Sequence, residues 1–225
     1  MDHLLLASTP LFSGAAPEEI AAMLSCLRAR EKRCAKGEVL LRAGDTVREL
    51  GLVLSGSVSI ESDDLWGNRT ILDRVGPGRV FAETYACVPG EPLMVNAVAA
   101  EAAEVLFLDV GRVLGSCSNA CAHHARVVRN LLAISARKNL ALSRRSLHTA
   151  PKSIRGRLLS YLSFQALRQG SRAFDIPFDR QQLADYLNVD RSALSAELGR
   201  MRREGLLRAE KNHFEMSEGS LDDYR

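Results

Sequence analysis

Between Ser116 and Ala150 the chain runs without a single glycine or proline, and Pro151 follows directly. A stretch rich in Leu, Ala and Arg with no helix breaker predicts one long helix that stops at the proline. About 30 residues of it would span on the order of 45 Å. Two partial apolar seams run along it. One holds Val127, Leu131, Ile134 and Ala141; the other holds Cys121, Ala125, Val128, Leu132 and Leu142. A helix with two seams packs on its own domain with one and on a second helix with the other. The alternative is a single amphipathic helix lying on one domain.

What precedes this helix has a different texture. The first ~35 residues read as helical: Pro17-Glu18-Glu19 opens a segment with apolar residues at Ile20, Met23, Leu24 and Leu27, a 3.6-residue period after an acidic first turn. From Lys36 to about Asp109, short β-rich runs alternate with turns. The runs are Glu38–Leu41, Leu50–Leu54, Val58–Ile60, Thr70–Leu72, Val95–Val98 and Val105–Leu108; the turns carry Ala43-Gly44-Asp45, Ser55-Gly56, Trp66-Gly67-Asn68 and Gly76-Pro77-Gly78. Many short strands spaced by turns predict a β-sandwich or barrel. At 225 residues and 46% hydrophobic the chain can bury a proper core, as one large domain or two smaller ones.

After Pro151 a new helix is expected from about Ser153 to Gln169, with Ile154, Leu158, Leu159, Leu162 and Leu167 as its apolar positions, and then a connector over Gly170–Pro177. The segment Phe178–Leu207 holds two helices. The first, Gln181–Leu187, buries Leu183, Ala184 and Leu187; Ala184 is small, as a close helix crossing requires. Asn188 can take the left-handed conformation that ends a helix, Val189 plugs the gap, and Asp190 is a good N-cap for the second helix. That helix buries Leu194, Leu198 and Met201 and leaves Arg191, Ser192, Ser195 and Ala196 outward at its N-terminal end. This is the layout of a helix-turn-helix at Gln181–Gly205, whose second helix enters the major groove of DNA. Arg191 can pair with guanine edges, and Ser192 and Ser195 can contact bases or phosphate. Arg180, Gln181, Arg200 and Lys211 complete the expected DNA contacts, with Arg202 and Arg203 also able to meet phosphates. Leu206–Ala209 and His213–Met216 flank Glu210-Lys211-Asn212, a short hairpin or wing. The bland alternative is two amphipathic helices with solvated arginines.

Charge is uneven. Residues 1–116 are net −5, residues 117–149 net +6 with no acidic side chain, and residues 150–225 net +2. An acidic front and a basic back suit a protein whose rear half approaches a polyanion. No apolar run is long enough to span a bilayer, and the start, Met1-Asp2-His3-Leu4, is no signal peptide, which leads us to expect a cytoplasmic protein with no membrane partner. Five irregularly spaced cysteines argue against a disulfide framework. Cys117, Cys121 and His124 fall on one helical face and could hold a metal or haem iron, although buried cysteines are commoner. We assign no metal site. No phosphate loop, nucleophile elbow or metalloprotease helix is present, so the chain is not expected to be an enzyme.

Taken together, the chain resembles the cyclic-AMP receptor/fumarate-nitrate regulator (CRP/FNR) family of bacterial transcription factors over nearly its whole length. Gly37-Glu38-Val39-Leu40, Leu52–Val58 and Val75–Glu83 are similar to the family's β-roll; Leu187–Ser195 and Asn212-His213-Phe214 are similar to its DNA-binding domain. The resemblance implies an α+β protein: a cyclic-nucleotide-binding-type β-roll (jelly-roll) domain with N-terminal helices at 1–115, a long dimerisation helix at 116–150, and a winged helix-turn-helix domain at 151–225. It implies a homodimer on a palindromic operator in double-stranded DNA, and an unidentified effector in a pocket of Phe81, Ala82, Glu83, Met94, Val95 and Leu132. Activation would need a contact with RNA polymerase.

The departures are informative. Ala82 stands where relatives that bind cyclic AMP have Gly, and Pro92-Leu93-Met94-Val95-Asn96 lacks their phosphate-holding Arg-Ser pair. A buried phosphate without a cation is heavily penalised, which argues against cyclic AMP. Cys26 and Cys34 do not match an iron-sulfur cluster. Ala196 replaces an Arg common in relatives, so their operator does not carry over. Two other classes compete with a DNA-binding regulator: a regulatory module whose helix pair contacts protein, and an enzyme in the β-roll.

Overall fold

The computed structural model of the chain describes residues 2–64, 66, 68–114 and 122–217. It forms two compact units, Met1–Arg137 and Lys138–Arg225. The first runs α1 (His3–Ala7), α2 (Pro17–Cys26), β1 (Arg30–Cys34), β2 (Val39–Leu41), β3 (Glu49–Ser55), β4 (Val58–Asp63), β5 (Arg69–Val75), β6 (Val80–Phe81), α3 (Glu83–Cys87), β7 (Asn96–Ala99), β8 (Ala103–Asp109), α4 (Val110–Leu114) and the first part of α5 (Ala122–Thr149). The strands make two four-stranded antiparallel sheets, in the orders β1-β8-β3-β6 and β2-β7-β4-β5.

The alternation expected of half-buried strands decides what each face meets. In β3, Leu50, Leu52 and Leu54 join a core with α1, α2 and α5; Val53, between them, faces the other sheet. β8 repeats the pattern, with Leu106 and Leu108 toward the helices and Val105 and Phe107 toward the opposite sheet. The sheets therefore enclose one core, made of Val53, Val58, Val75, Phe81, Ala97, Val105 and Phe107, and the β1-β8-β3-β6 sheet presses a second against the helices. Gly51 is needed at a close approach: a Cβ there would fall 2.3 Å from the Phe81 ring.

All six expected strands are present. Three further strands are not visible as apolar runs. β1 lies within the stretch read as helical, and its Arg30-Glu31-Lys32-Arg33 is entirely charged. It is an edge strand, the place where charge is tolerated and useful, and pairs with β8 in the register Arg33↔Glu104. Arg33 meets Glu104 at 2.7 Å, Arg30 meets Glu49 at 2.8 Å and Lys32 meets Glu38 at 2.8 Å. β6 is two residues long. The third missed strand is in the second unit, inside the expected connector.

α5 realises the long helix, ending at Thr149 just before Pro151. Val127 and Leu131 are buried and Ile134 packs against the same core. On the other seam Ala125 is exposed, Leu132 is 68% exposed and Leu142 67%. No described helix is long and apolar enough to cross a membrane.

The second unit continues with α6 (Ile154–Gln169), β9 (Ala173–Asp175), α7 (Arg180–Leu187), α8 (Arg191–Arg203), β10 (Leu207–Glu210) and β11 (His213–Met216). Its sheet has the order β10-β11-β9. Ser153 caps α6 by accepting from the Gly156 N–H. Leu158, Leu159 and Leu162 are buried as expected, but Leu167 is 78% exposed. The core side of that last turn is taken by Gln165 and Ala166 instead.

Candidate nucleic-acid interface

Each helix of the pair α7–α8 begins on a side-chain cap. Asp179 accepts from the Gln182 N–H at 2.8 Å while the Gln182 side chain accepts from the Asp179 N–H at 2.9 Å, a capping box. Asn188 ends α7 at φ 54° and ψ 55°, the left-handed conformation that Asn tolerates. Val189 packs against the unit's core. Asp190 caps α8 by accepting from the Ala193 N–H at 2.9 Å. Hydrogen bonds from the Ser192 hydroxyl and the Ala193 amide hold the Asp190 carboxyl below its ordinary range.

Leu194, Leu198 and Met201 are buried, and Arg191, Ser192, Ser195 and Ala196 are all exposed. The Ser192 hydroxyl donates to Asp190, which leaves its oxygen lone pairs to accept. Four of the seven predicted contacts, Arg180, Gln181, Arg191 and Lys211, line one groove of about 890 Å³ together with Phe178 and Asn212. Ser192, Ser195 and Arg200 are not among its lining residues.

The groove's walls are built, not merely left over. The Arg180 guanidinium lies 5.0 Å over the Phe214 ring, and burial, with Arg202 nearby, pulls its pKa down. A cation weakened this way gains from an anion placed in the groove. Gln181 donates to Asp185 at 2.8 Å, one turn along α7. Lys211 stands at the hairpin tip at φ 50°. Asn212 fastens that tip: its carbonyl accepts from the Ile176 N–H at 2.9 Å and its side chain donates to the Ile176 carbonyl at 3.3 Å. Through β9, which pairs with β11, the wing is thereby tied to the approach to α7.

Glu197 is a residue that pattern reading missed. It is buried on the apolar side of α8 and accepts from Arg155 of α6 at 2.6 Å and from Arg200 at 2.5 Å. Burial pushes its carboxyl up, but the two arginines outweigh that and hold it below the ordinary range. Its register with Leu194, Leu198 and Met201 was the available signal. Arg200, expected to face phosphate, is thus partly committed to Glu197, although its side chain remains exposed.

In the first unit, Phe81 is buried in β6, and Ala82 is the left-handed N-cap of α3 at φ 60°. Glu83 is buried as the first residue of α3. Met94 is 75% exposed, and its N–H donates to the Tyr85 hydroxyl at 3.4 Å, bringing the 92–95 segment against α3. Val95 is half-buried, and Leu132 stands on the exposed seam of α5. Glu83 is thus a buried carboxylate, and residues 92–96 carry no cationic side chain. Cys117 and Cys121 lie outside the described residues. His124 is buried with its Nδ1 unpartnered, and no group of His, Cys, Asp and Glu able to hold a metal occurs among the described residues.

The sequence matches the cyclic nucleotide-binding domain over residues 31–119 and the Crp-like helix-turn-helix domain over residues 156–217. It is 31% identical over 218 residues to the cyclic AMP receptor protein of Thermus thermophilus, covering 95% of this chain and 94% of the relative. The crystal structure of the Thermus thermophilus catabolite activator protein is similar at a TM-score of 0.50 and 28% identity, covering 95% and 96% of the two chains. The c-di-GMP responsive global regulator CLP of Xanthomonas campestris shares the fold at a TM-score of 0.55 and 18% identity, over 89% and 99% of the chains. A jelly-roll unit, a long helix and a capped helix pair with its wing, joined to a full-length relative of this identity, make one conclusion: the chain belongs to the CRP/FNR family of transcriptional regulators.

Proposed function

We propose that the protein binds a palindromic operator as a homodimer and regulates transcription there in response to an effector other than cyclic AMP. Residues 1–115 sense, 116–150 dimerise and 151–225 bind DNA. The single observation that carries this reading is the exposure of Arg191, Ser192 and Ser195 together at the N-terminal end of α8, beside a groove walled by Arg180, Gln181, Arg191 and Lys211. Arg191, Ser192 and Ser195 read base edges; Arg180, Gln181, Arg200 and Lys211 meet the backbone. The partner for α5 is a second α5. One of its seams, Ala125, Val128, Leu132, Ser135, Asn139 and Leu142, steps by three and four in turn, the spacing of a coiled coil, and its Ala125, Leu132, Asn139 and Leu142 are exposed while Val128 packs on the first unit's core.

The effector site is the region of Phe81, Ala82, Glu83, Met94, Val95 and Leu132. Its occupant is a molecule with little negative charge, because Glu83 is buried there. The protein acts without catalysing a reaction, in the cytoplasm, and RNA polymerase is its partner if it activates. Selection from a pool of genomic fragments across salt concentrations tests the reading. Enrichment of an inverted repeat with half-sites one helical turn, about 34–36 Å, apart supports it. Enrichment of no palindrome, or full binding by Arg191→Ala, refutes it.

A further inference from the structure

The C-terminal end of α7 is gripped by two arginines from outside the helix pair. Arg145, from the last turns of α5, donates to the Asp185 carbonyl at 2.8 Å and to the Tyr186 carbonyl at 3.0 Å. Arg157, from α6, donates through one nitrogen to the Leu187 carbonyl at 3.0 Å and the Asn188 carbonyl at 2.9 Å. Its Nε also donates to the Pro151 carbonyl at 2.9 Å, so one side chain joins the α5–α6 turn to the α7–α8 turn. His148 adds a 2.8 Å hydrogen bond between its Nδ1 and the Tyr186 hydroxyl, and the Arg145 guanidinium lies 5.9 Å from the Tyr186 ring centre.

The last carbonyls of a helix lack intrahelical donors and carry the negative end of its dipole. Here four consecutive carbonyls, 185 to 188, accept from three guanidinium nitrogens. They include the left-handed residue Asn188, and two residues later Asp190 caps α8. The turn that sets where α8 starts, and hence where Arg191, Ser192 and Ser195 point, is therefore held by a clamp neither of whose arms belongs to the helix pair. We infer that Arg145 and Arg157 are positioning residues for sequence readout: they fix the α7–α8 turn so that the N-terminal face of α8 presents in one orientation. The inference rests on the DNA-reading role proposed above.

The charge-preserving variants Arg145→Lys and Arg157→Lys separate this role from bulk electrostatics. A lysine keeps the positive charge that governs non-specific binding but lacks the planar fork that in Arg145 spans the Asp185 and Tyr186 carbonyls and in Arg157 joins the Pro151 carbonyl to those of Leu187 and Asn188. In full-length protein, each variant should bind the selected operator about tenfold more weakly, while affinity for non-specific duplex at the same salt and the salt slope stay unchanged. Deuterium exchange of backbone amides at 185–195 should quicken in both variants, with the wing and α6 exchanging as before. Wild-type operator affinity in both variants overturns the inference, as does a parallel fall in specific and non-specific binding. Wild-type protein that shows no preference for any operator would sink the DNA reading itself. The exchange measurement judges the clamp independently of DNA: unaltered exchange at 185–195 overturns it.

Discussion

Replacing Gly51 by Ala tests how tightly the β-roll interior is built around the proposed sensing segment. A Cβ at this position falls 2.3, 2.4 and 2.9 Å from three ring atoms of Phe81, closer than real Cβ contacts come. Phe81 is Gly51's partner in the β3–β6 pairing, is 2% exposed, and sits edge-on to Phe107 with ring centres 6.2 Å apart. The ring has no slack and has to leave its place. Overpacking of this kind costs about 1–3 kcal/mol, and losing the burial of the ring sets a ceiling of about 3 kcal/mol. We expect Gly51→Ala to destabilise the first unit by about 2–3 kcal/mol, lowering its melting temperature by on the order of 10 °C. Phe81→Leu removes the clash along with the ring, so the double variant should recover about 1–2 kcal/mol relative to the sum of the single effects. Scanning calorimetry of the full-length chain, with the cycle closed by both single variants, gives the coupling. Additivity within about 0.5 kcal/mol, or wild-type stability of Gly51→Ala, would refute the packing argument. Because Phe81 leads directly into Ala82 and Glu83, the single variant should also weaken any effector response.

Arg191→Ala should lose about 1–3 kcal/mol of operator affinity while non-specific binding falls only slightly, measured by titration at fixed salt. Leu132→Asp places a charge on the exposed seam of α5 and should shift the protein to monomer by analytical ultracentrifugation, with operator affinity falling in step. Glu197 has a depressed carboxyl, so its stabilising effect is present above the unfolded value near 4.5 and is lost as pH falls through the lower folded value. Glu197→Gln should therefore melt earlier than wild type at neutral pH, and the difference should close on acidification below about 4.5. A gap that stays constant down to low pH would show that the two arginines do not act through charge.

What could be read from the residues depended on whether they followed local rules. The long helix is legible because nothing between Ser116 and Ala150 can break it, and the helix pair because Ala184, Asn188 and Asp190 each meet a separate steric or capping demand. β1 was hidden because an edge strand draws its register from its neighbour, β8, and four of its five residues are charged, only Cys34 being buried. β9 was hidden inside a connector of three paired residues whose partner, β11, lies far along the chain. Leu167 faces solvent because it falls five residues after Leu162, off the stripe of Leu158, Leu162, Gln165 and Ala166 that meets the core. Among the expected DNA contacts, exposure of Arg191, Ser192 and Ser195 follows from helical period alone. The commitment of Arg200 to Glu197, the stacking of Arg180 on Phe214 and the two-arginine clamp all involve residues remote in sequence, and no periodicity reports them.

The clamp bears on how such a regulator can be re-engineered. Transplanting residues 178–217 onto another scaffold would strip the Asp185 to Asn188 carbonyls of both guanidinium partners, and the recognition helix would arrive with its anchor missing. A chimera meant to keep this protein's target preference has to carry Arg145 and Arg157 with it, so the smallest exchangeable cassette begins inside the long helix and not at the proline that follows it.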